Sequence, residues 1–134
     1  MSILEVKDLK VGYVDVQRQK NIVVDGVSFS LEKGEALGMV GESGCGKSTI
    51  ARALLGYLRP GGEILGGSIE LAGNFVFDLS PNALQSLRGE IVAIVPQNPL
   101  SSLTYHLTAG THLQEILQSH RGLSAANAKA ETLS

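Results

Sequence analysis

The sequence of 134 residues contains a single cysteine, Cys45, and no tryptophan. One cysteine excludes an internal disulfide framework and is typical of a reducing compartment. The longest unbroken apolar run, Ile91–Val95, is far shorter than a membrane span of about 20 residues. The charged N-terminus lacks the apolar stretch of a signal peptide. A net charge of −2 excludes a strongly basic nucleic-acid binder. These features predict a soluble, intracellular, globular protein.

Glycine is the residue in excess, with sixteen copies, and its placement is informative. The segment Gly41–Ser48 matches the pattern G-x-x-x-x-G-K-[ST] at every fixed position. The pattern around it predicts a short buried strand at 36–40 and a helix whose first turn is 47–49 and whose apolar residues follow at helical spacing over 50–58. Such a loop surrounds phosphate oxygens with backbone N–H groups, and the first helical turn adds the positive end of the helix dipole. The sequence therefore predicts a nucleotide-phosphate site.

Each residue of the predicted site has an expected role. Lys47 would reach the β- and γ-phosphates, Ser48 would ligate Mg²⁺, and Thr49 would contact the α-phosphate. Cys45 at a helix N-terminus is either a reactive thiol of depressed pKa or simply a small residue that fits. The predicted nucleotide-binding set is Gly41, Glu42, Ser43, Gly44, Cys45, Gly46, Lys47, Ser48 and Thr49.

The rest of the chain alternates between strand and helix patterns. The predicted strands are residues 3–11, 22–31, 68–71, 75–77 and 91–95, with a polar connection at 15–21. Ser80 and Pro81 predict a capped helix that ends near Leu87. Thr111–Gln114 has the form of a capping box, and Gly122 is the expected end of that helix.

Segments along nearly the whole chain resemble the ATP-binding subunits of ABC transporters, most closely the dipeptide, oligopeptide and nickel importer group. The resemblance implies an α/β P-loop NTPase of the ABC ATPase type with an N-terminal antiparallel β subdomain. Residues 1–134 would be a partial domain that contains the β subdomain, the P-loop strand and helix, the Q-loop and the start of the helical subdomain. The matching segments are 4–9, 24–29, 33–35, 40–44, 87–89, 95–99 and 102–103.

The resemblance assigns two further residues. Tyr13, 28 residues before Gly41, lies where the family has an aromatic that stacks on adenine. Its alternative is a strand tyrosine that packs on the core. Gln97, 50 residues after Lys47, corresponds to the Q-loop glutamine, which would contact Mg²⁺ or the attacking water and is catalytic with Lys47. Its alternative is an ordinary surface glutamine.

The implied function is ATP binding and hydrolysis that drives import of a peptide-type solute. The implied partners are a second ATP-binding subunit bound head to tail, membrane permease subunits and, indirectly, a solute-binding protein, with no nucleic acid. The location would be cytoplasmic, at the inner face of the cell membrane. A non-transport ABC ATPase in a soluble complex and a non-hydrolysing nucleotide-binding fragment remain as alternatives.

Residues 98–134 match no Walker B aspartate, catalytic glutamate, signature motif or switch histidine. We therefore expect a domain truncated before those segments, inactive as an ATPase by itself, weak in nucleotide binding and prone to aggregate. Asp78 ends an apolar stretch without a following glutamate, so we do not interpret it as a metal ligand. The spacing of His106, His112 and His120 favours solvated side chains over a nickel site.

Overall fold

The computed structural model describes residues 2–42, 46–98 and 108–121. The chain forms two compact units, Met1–Ile91 and Val92–Ser134. None of the helices among the described residues has the length and apolar character needed to cross a membrane. The elements are β1 (Ser2–Val14), β2 (Lys20–Glu32), α1 (Lys47–Ala53), β3 (Gly62–Leu71), β4 (Asn74–Phe75), a 3₁₀ turn (Val76–Asp78), α2 (Pro81–Glu90) and α3 (Ala109–Arg121).

The first unit contains one antiparallel sheet in the order β2-β1-β3-β4. The predicted strands at 3–11 and 22–31 are confirmed as parts of the longer strands β1 and β2. Their connection is held by Asp15, whose carboxylate oxygen accepts the backbone N–H groups of Gln17 and Gln19 at 2.8 Å each. A short polar side chain that replaces backbone acceptors is typical of a tight turn. The sheet is the antiparallel β subdomain that the resemblance implied.

The core lies on one face of this sheet, and α1 contributes to it through Ile50 and Ala53. Strand β1 places Val6 and Leu9 on the same inner face although they are three positions apart. A register shift between them, with Asp8 at a φ of 45°, makes this possible. The buried aliphatic residues are Leu4, Val6, Leu9, Val11, Val24, Ile50, Ala53, Ile69, Leu71, Val76 and Leu87.

Helix α2 begins and ends as the sequence predicts. The Ser80 hydroxyl accepts the N–H of Ala83 at 3.2 Å, and Pro81 occupies the first turn, where its missing N–H is harmless. Regular helical geometry stops after Leu87, because Arg88 has a ψ of 124° and Gly89 a φ of 88°.

Two predictions of buried strands are wrong for the described structure. Residues 36–40 form no strand, and Val40 is 97% exposed. In 91–95 only Val92 takes part in a bridge, and Val95 is 87% exposed. A strand buried on both faces requires neighbouring strands and covering helices, and the four-stranded sheet includes neither segment.

Three smaller boundaries also differ from the sequence prediction. Helix α1 begins at Lys47, in the first turn that the motif predicts, but it ends at Ala53, so the later part of the helical pattern at 50–58 is not helical. The predicted strand at 75–77 is β4 followed by the 3₁₀ turn. At α3 the Thr108 hydroxyl accepts the N–H of Thr111 at 3.2 Å, one turn before the predicted capping box. Gly122, its expected end, lies outside the described residues.

Candidate functional site

The end of the glycine-rich loop rests on strand β2. Gly46 is buried, precedes α1 and has a φ of 95°, a conformation that L side chains rarely adopt. A Cβ at this position would lie 2.9 Å from the Val23 carbonyl oxygen and 3.2 Å from the Val24 side chain. Glycine is therefore required here for two reasons: a side chain would approach the Val23 backbone too closely, and the positive φ disfavours any L residue. The last residue of the loop before α1 is therefore fitted against strand β2.

Lys47 connects the two ends of the loop. Its ammonium donates a hydrogen bond to the carbonyl oxygen of Gly41, six positions earlier in the chain. The side chain is half-buried, while Gly41 and Glu42 are exposed. A cationic donor that crosses the loop is suited to an anionic oxygen, because charge-assisted hydrogen bonds are stronger than neutral ones. Ser43, Gly44 and Cys45 lie outside the described residues, so the amide cradle they would form stays a prediction.

The first turn of α1 separates a polar side from an apolar side. Ser48 is exposed and Thr49 half-buried, whereas Ile50 is buried against the sheet. Ser48, the residue after Lys47, is therefore accessible to solvent. A hydroxyl oxygen is a suitable ligand for Mg²⁺, which commonly takes only one or two ligands from protein and the rest from phosphate and water. The residues described here fit a phosphate group with its metal.

Tyr13 lies near the end of β1, opposite Asn21 on β2 and Gly62 on β3. Its hydroxyl accepts the Arg59 N–H at 3.3 Å, and its ring lies against the backbone of Gly62. Tyr13 is thus a strand tyrosine in contact with its neighbouring strand, and packing on the core, the alternative interpretation, is not what these contacts describe. The strand pairing relates Tyr13 to the glycine-rich loop. Val24 lies beside Gly46 and pairs with Val11, which is two residues before Tyr13 on β1. Adenine stacking stays a prediction.

A groove of about 330 Å³ lies beside Lys47 and Ile50. Its other walls are mostly aliphatic and aromatic, from strand β2 and from the segment predicted to be the P-loop strand. Its lining residues are Val27, Ser28, Phe29, Leu37, Gly38, Met39, Val40, Lys47 and Ile50. This apolar space is suited to packing rather than to holding phosphate, which the loop itself would bind.

The remaining predicted residues belong to other elements or lie outside the described residues. Gln97 is exposed at a bend in the second unit, and its role stays a prediction. Asp78 is exposed in the 3₁₀ turn. His112 is half-buried on α3, whereas His106 and the side chain of His120 lie outside the described residues.

Sequence reasoning missed the contact made by Arg88. Its Nε donates to the carbonyl oxygen of Leu55 at 2.7 Å, and the bond is partly buried. The two residues are 33 positions apart, so no local pattern indicates the bond. The only signal was the pair Arg88-Gly89 itself, which contributes to the resemblance described above.

Comparison with known proteins gives a family match and several relatives. The ABC transporter family model matches residues 24–134. The oligopeptide transport ATP-binding protein OppD of Salmonella typhimurium is 40% identical over 131 residues, covering 98% of this chain and 38% of the relative. OppD of Escherichia coli is 39% identical, covering 98% and 39%. AppD of Bacillus subtilis, also an oligopeptide transport ATP-binding protein, is 35% identical, covering 96% and 39%. The chain thus spans about two fifths of the length of these relatives.

Proposed function

The chain belongs to the ABC transporter family as an ABC ATPase domain, and from this premise we propose that it binds ATP with Mg²⁺ for a peptide importer. The observation that carries the proposal is the hydrogen bond from Lys47, the first residue of α1, back to the carbonyl oxygen of Gly41. The relatives support the substrate class, because they are named as oligopeptide transport proteins. Residues 1–134 would be a partial ATP-binding domain.

Each of the described residues would make a different contact with the triphosphate or its metal ion. The Lys47 ammonium would exchange its Gly41 acceptor for phosphate oxygens, which explains why a half-buried cation lies across the loop. Ser48 would ligate Mg²⁺ through its exposed hydroxyl, and Thr49 would contact the α-phosphate. Mg²⁺ would supply neutralisation of charge on the phosphates. Backbone N–H groups from 41–46 would complete the cradle.

Tyr13 and Gln97 would complete the nucleotide site. Tyr13 has a ring held in place by Gly62 and by the bond to the Arg59 N–H, and a ring fixed in this way is suited to stacking on adenine. Gln97 would act with Lys47 in hydrolysis, as a contact to Mg²⁺ or to the attacking water. These two assignments rest on the family resemblance.

Assembly of the active transporter requires other chains. We propose a second ATP-binding subunit bound head to tail, membrane permease subunits at the inner face of the cell membrane, and a solute-binding protein that acts indirectly. The net charge of −2 supports the absence of nucleic acid among the partners. Co-purification with the subunits of a peptide permease tests this part, and a chain that does not associate with them in the presence of ATP contradicts it.

The nucleotide site is tested by the affinity of the full chain for Mg·ATP, measured by isothermal titration. Lys47→Ala removes a charge-assisted hydrogen bond worth about 1.5–3 kcal/mol, so affinity should fall about tenfold or more. Lys33→Ala is the matched control, since Lys33 lies at an exposed turn and its loss should leave affinity unchanged. Equal affinity of Lys47→Ala and the unmodified chain would contradict the proposal.

A further inference from the structure

The turn that follows α1 is bound by Arg88. The carbonyl of Leu55 lies just beyond the helix, where carbonyl groups have no partner within the helix itself. Arg88 Nε donates to this oxygen at 2.7 Å, in a partly buried position. A guanidinium is rigid and permanently charged, so a short bond from it fixes the acceptor more firmly than a neutral donor does.

A second contact holds the same turn. Gly56 has a φ of 70°, and a Cβ there would lie 2.6 Å from Leu84 Cδ1 and 3.0 Å from the Val76 side chain. The backbone of the turn is therefore in direct packing contact with α2. Leu84 and Arg88 are four positions apart, the spacing of neighbours along one side of a helix. The turn that follows α1 is thus held against α2 by two neighbouring residues of α2.

Arg88 is also the point at which the chain leaves α2. Its ψ of 124° and the positive φ of Gly89 redirect the backbone, and the Ile91 N–H still donates to the Leu87 carbonyl at 3.0 Å. From there the sequence continues through residues 91–95 to Gln97. The same residue anchors the end of the helix that begins with Lys47 and the start of the segment that leads to Gln97.

We propose that Arg88 is a positioning residue that couples nucleotide binding at the loop to the segment leading to Gln97. The inference rests on the proposed function. Helix α1 has only seven residues, about 10 Å of rigid rod, so ordering of its first turn also restrains the turn at 54–56. The Arg88 bond passes that restraint to residues 89–91. The coupling requires a change in order and no large displacement.

Amide hydrogen exchange of the full chain, with and without Mg²⁺ and the non-hydrolysable analogue AMP-PNP, tests this proposal. The reporters are the N–H of Ile50, bonded to Gly46, and the N–H of Ile91, bonded to Leu87. We expect the nucleotide to slow exchange at both, at Ile91 by about fivefold or more, the lower range of coupling between sites. In Arg88→Met the slowing should persist at Ile50 and disappear at Ile91.

Two further variants separate positioning from general stability. Arg18→Met removes an exposed arginine from the loop between β1 and β2 and should leave the response at Ile91 intact. Arg88→Lys keeps the positive charge and a hydrogen-bond donor, so the slowing at Ile91 should be partly restored relative to Arg88→Met. If Arg88→Met does not fold, Arg88→Lys is compared with the unmodified chain instead. Slowing at Ile50 without slowing at Ile91 in the unmodified chain, or an unchanged Ile91 response without Arg88, overturns the coupling alone. No slowing at either amide overturns the proposed function as well.

Discussion

The sheet and the two apolar segments at 36–40 and 91–95 differ in how far their aliphatic side chains are exposed to solvent. On β1 and β3, Leu9 is fully buried and Ile69 is 2% exposed. In the apolar segments, Val40 and Val95 are almost wholly exposed. Residues 91–95 are as rich in Val and Ile as a β-strand, and residues 36–40 are also mostly apolar. Composition alone therefore does not decide which region becomes a strand.

The difference follows from how each kind of strand obtains its partners. Strands β1 and β2 are joined by a short loop, so each supplies the other with backbone hydrogen bonds at little cost in loop entropy. A strand buried on both faces belongs to a parallel sheet, in which neighbours are joined only through long crossover connections. The antiparallel strands therefore supply one another with hydrogen-bonding partners, whereas each apolar segment would need partner strands that are distant in the sequence.

The largest expected effect separates the two regions directly. Leu9→Ala removes a fully buried side chain and should lower the free energy of unfolding by about 2–5 kcal/mol, measured in urea. The matched control is Leu37→Ala, at a side chain 51% exposed in the first apolar segment, with a change within about 0.5 kcal/mol. Equal losses would mean that the segment 36–40 is packed like the sheet.

The next effect tests the closure of the loop on β2. Gly34→Ala places a side chain at a φ of 85° in open space and should cost about 1–2 kcal/mol. Gly46→Ala has similar backbone strain and adds a 2.9 Å approach to the Val23 oxygen, so it should cost at least about 1 kcal/mol more. Chemical denaturation of both variants gives the difference, and equal losses would show that the loop does not rest on the strand.

A smaller effect is expected at the start of α2. Ser80→Ala removes the acceptor for the Ala83 N–H and should reduce the free energy of unfolding by about 1 kcal/mol. Ser86→Ala, at an exposed site within the same helix, is the control and should change stability by less than about 0.5 kcal/mol. Thermal unfolding followed by circular dichroism distinguishes the two, and a neutral Ser80→Ala would exclude the cap.

The smallest effect on stability should accompany a large effect on self-association. Val40→Lys combined with Val95→Lys should alter the free energy of unfolding by less than about 0.5 kcal/mol. Static light scattering should nevertheless fall, because charge on an exposed apolar segment opposes pairing between chains. Val16→Lys, in the fully exposed loop between β1 and β2, is the control and should leave scattering unchanged. A destabilised double variant would place the segments in the core.

Local patterns predicted the local parts of the fold. The alternation in β1 and β2 and the Ser80-Pro81 cap required only neighbouring residues, and the structure has both. The failure at 36–40 has a physical reason, since a short apolar run indicates a buried strand only when something covers it. At α3 the cap is Thr108 rather than Thr111, the start of the predicted capping box, because either threonine is a suitable N-cap and the local pattern does not decide between them.

In the candidate site, too, the local features could be predicted from the sequence and the long-range contacts could not. The motif at 41–48 predicted which residue would be the cation and where the helix would begin, because its spacing is local. It did not predict that Lys47 reaches the Gly41 carbonyl, or that Val23 supports Gly46. Such contacts, like that of Arg88 with Leu55, depend on how distant segments pack, and this information is absent from any short window of sequence.

The support of Gly46 by Val23 also sets an order of events during synthesis. Translation adds about 5–20 residues per second from the N-terminus, whereas a β-hairpin forms in about 1–10 μs. Strands β1 and β2 therefore have time to pair before Gly46 leaves the ribosome. The loop does not need to find its supporting surface among unfolded segments, because that surface precedes it in the chain.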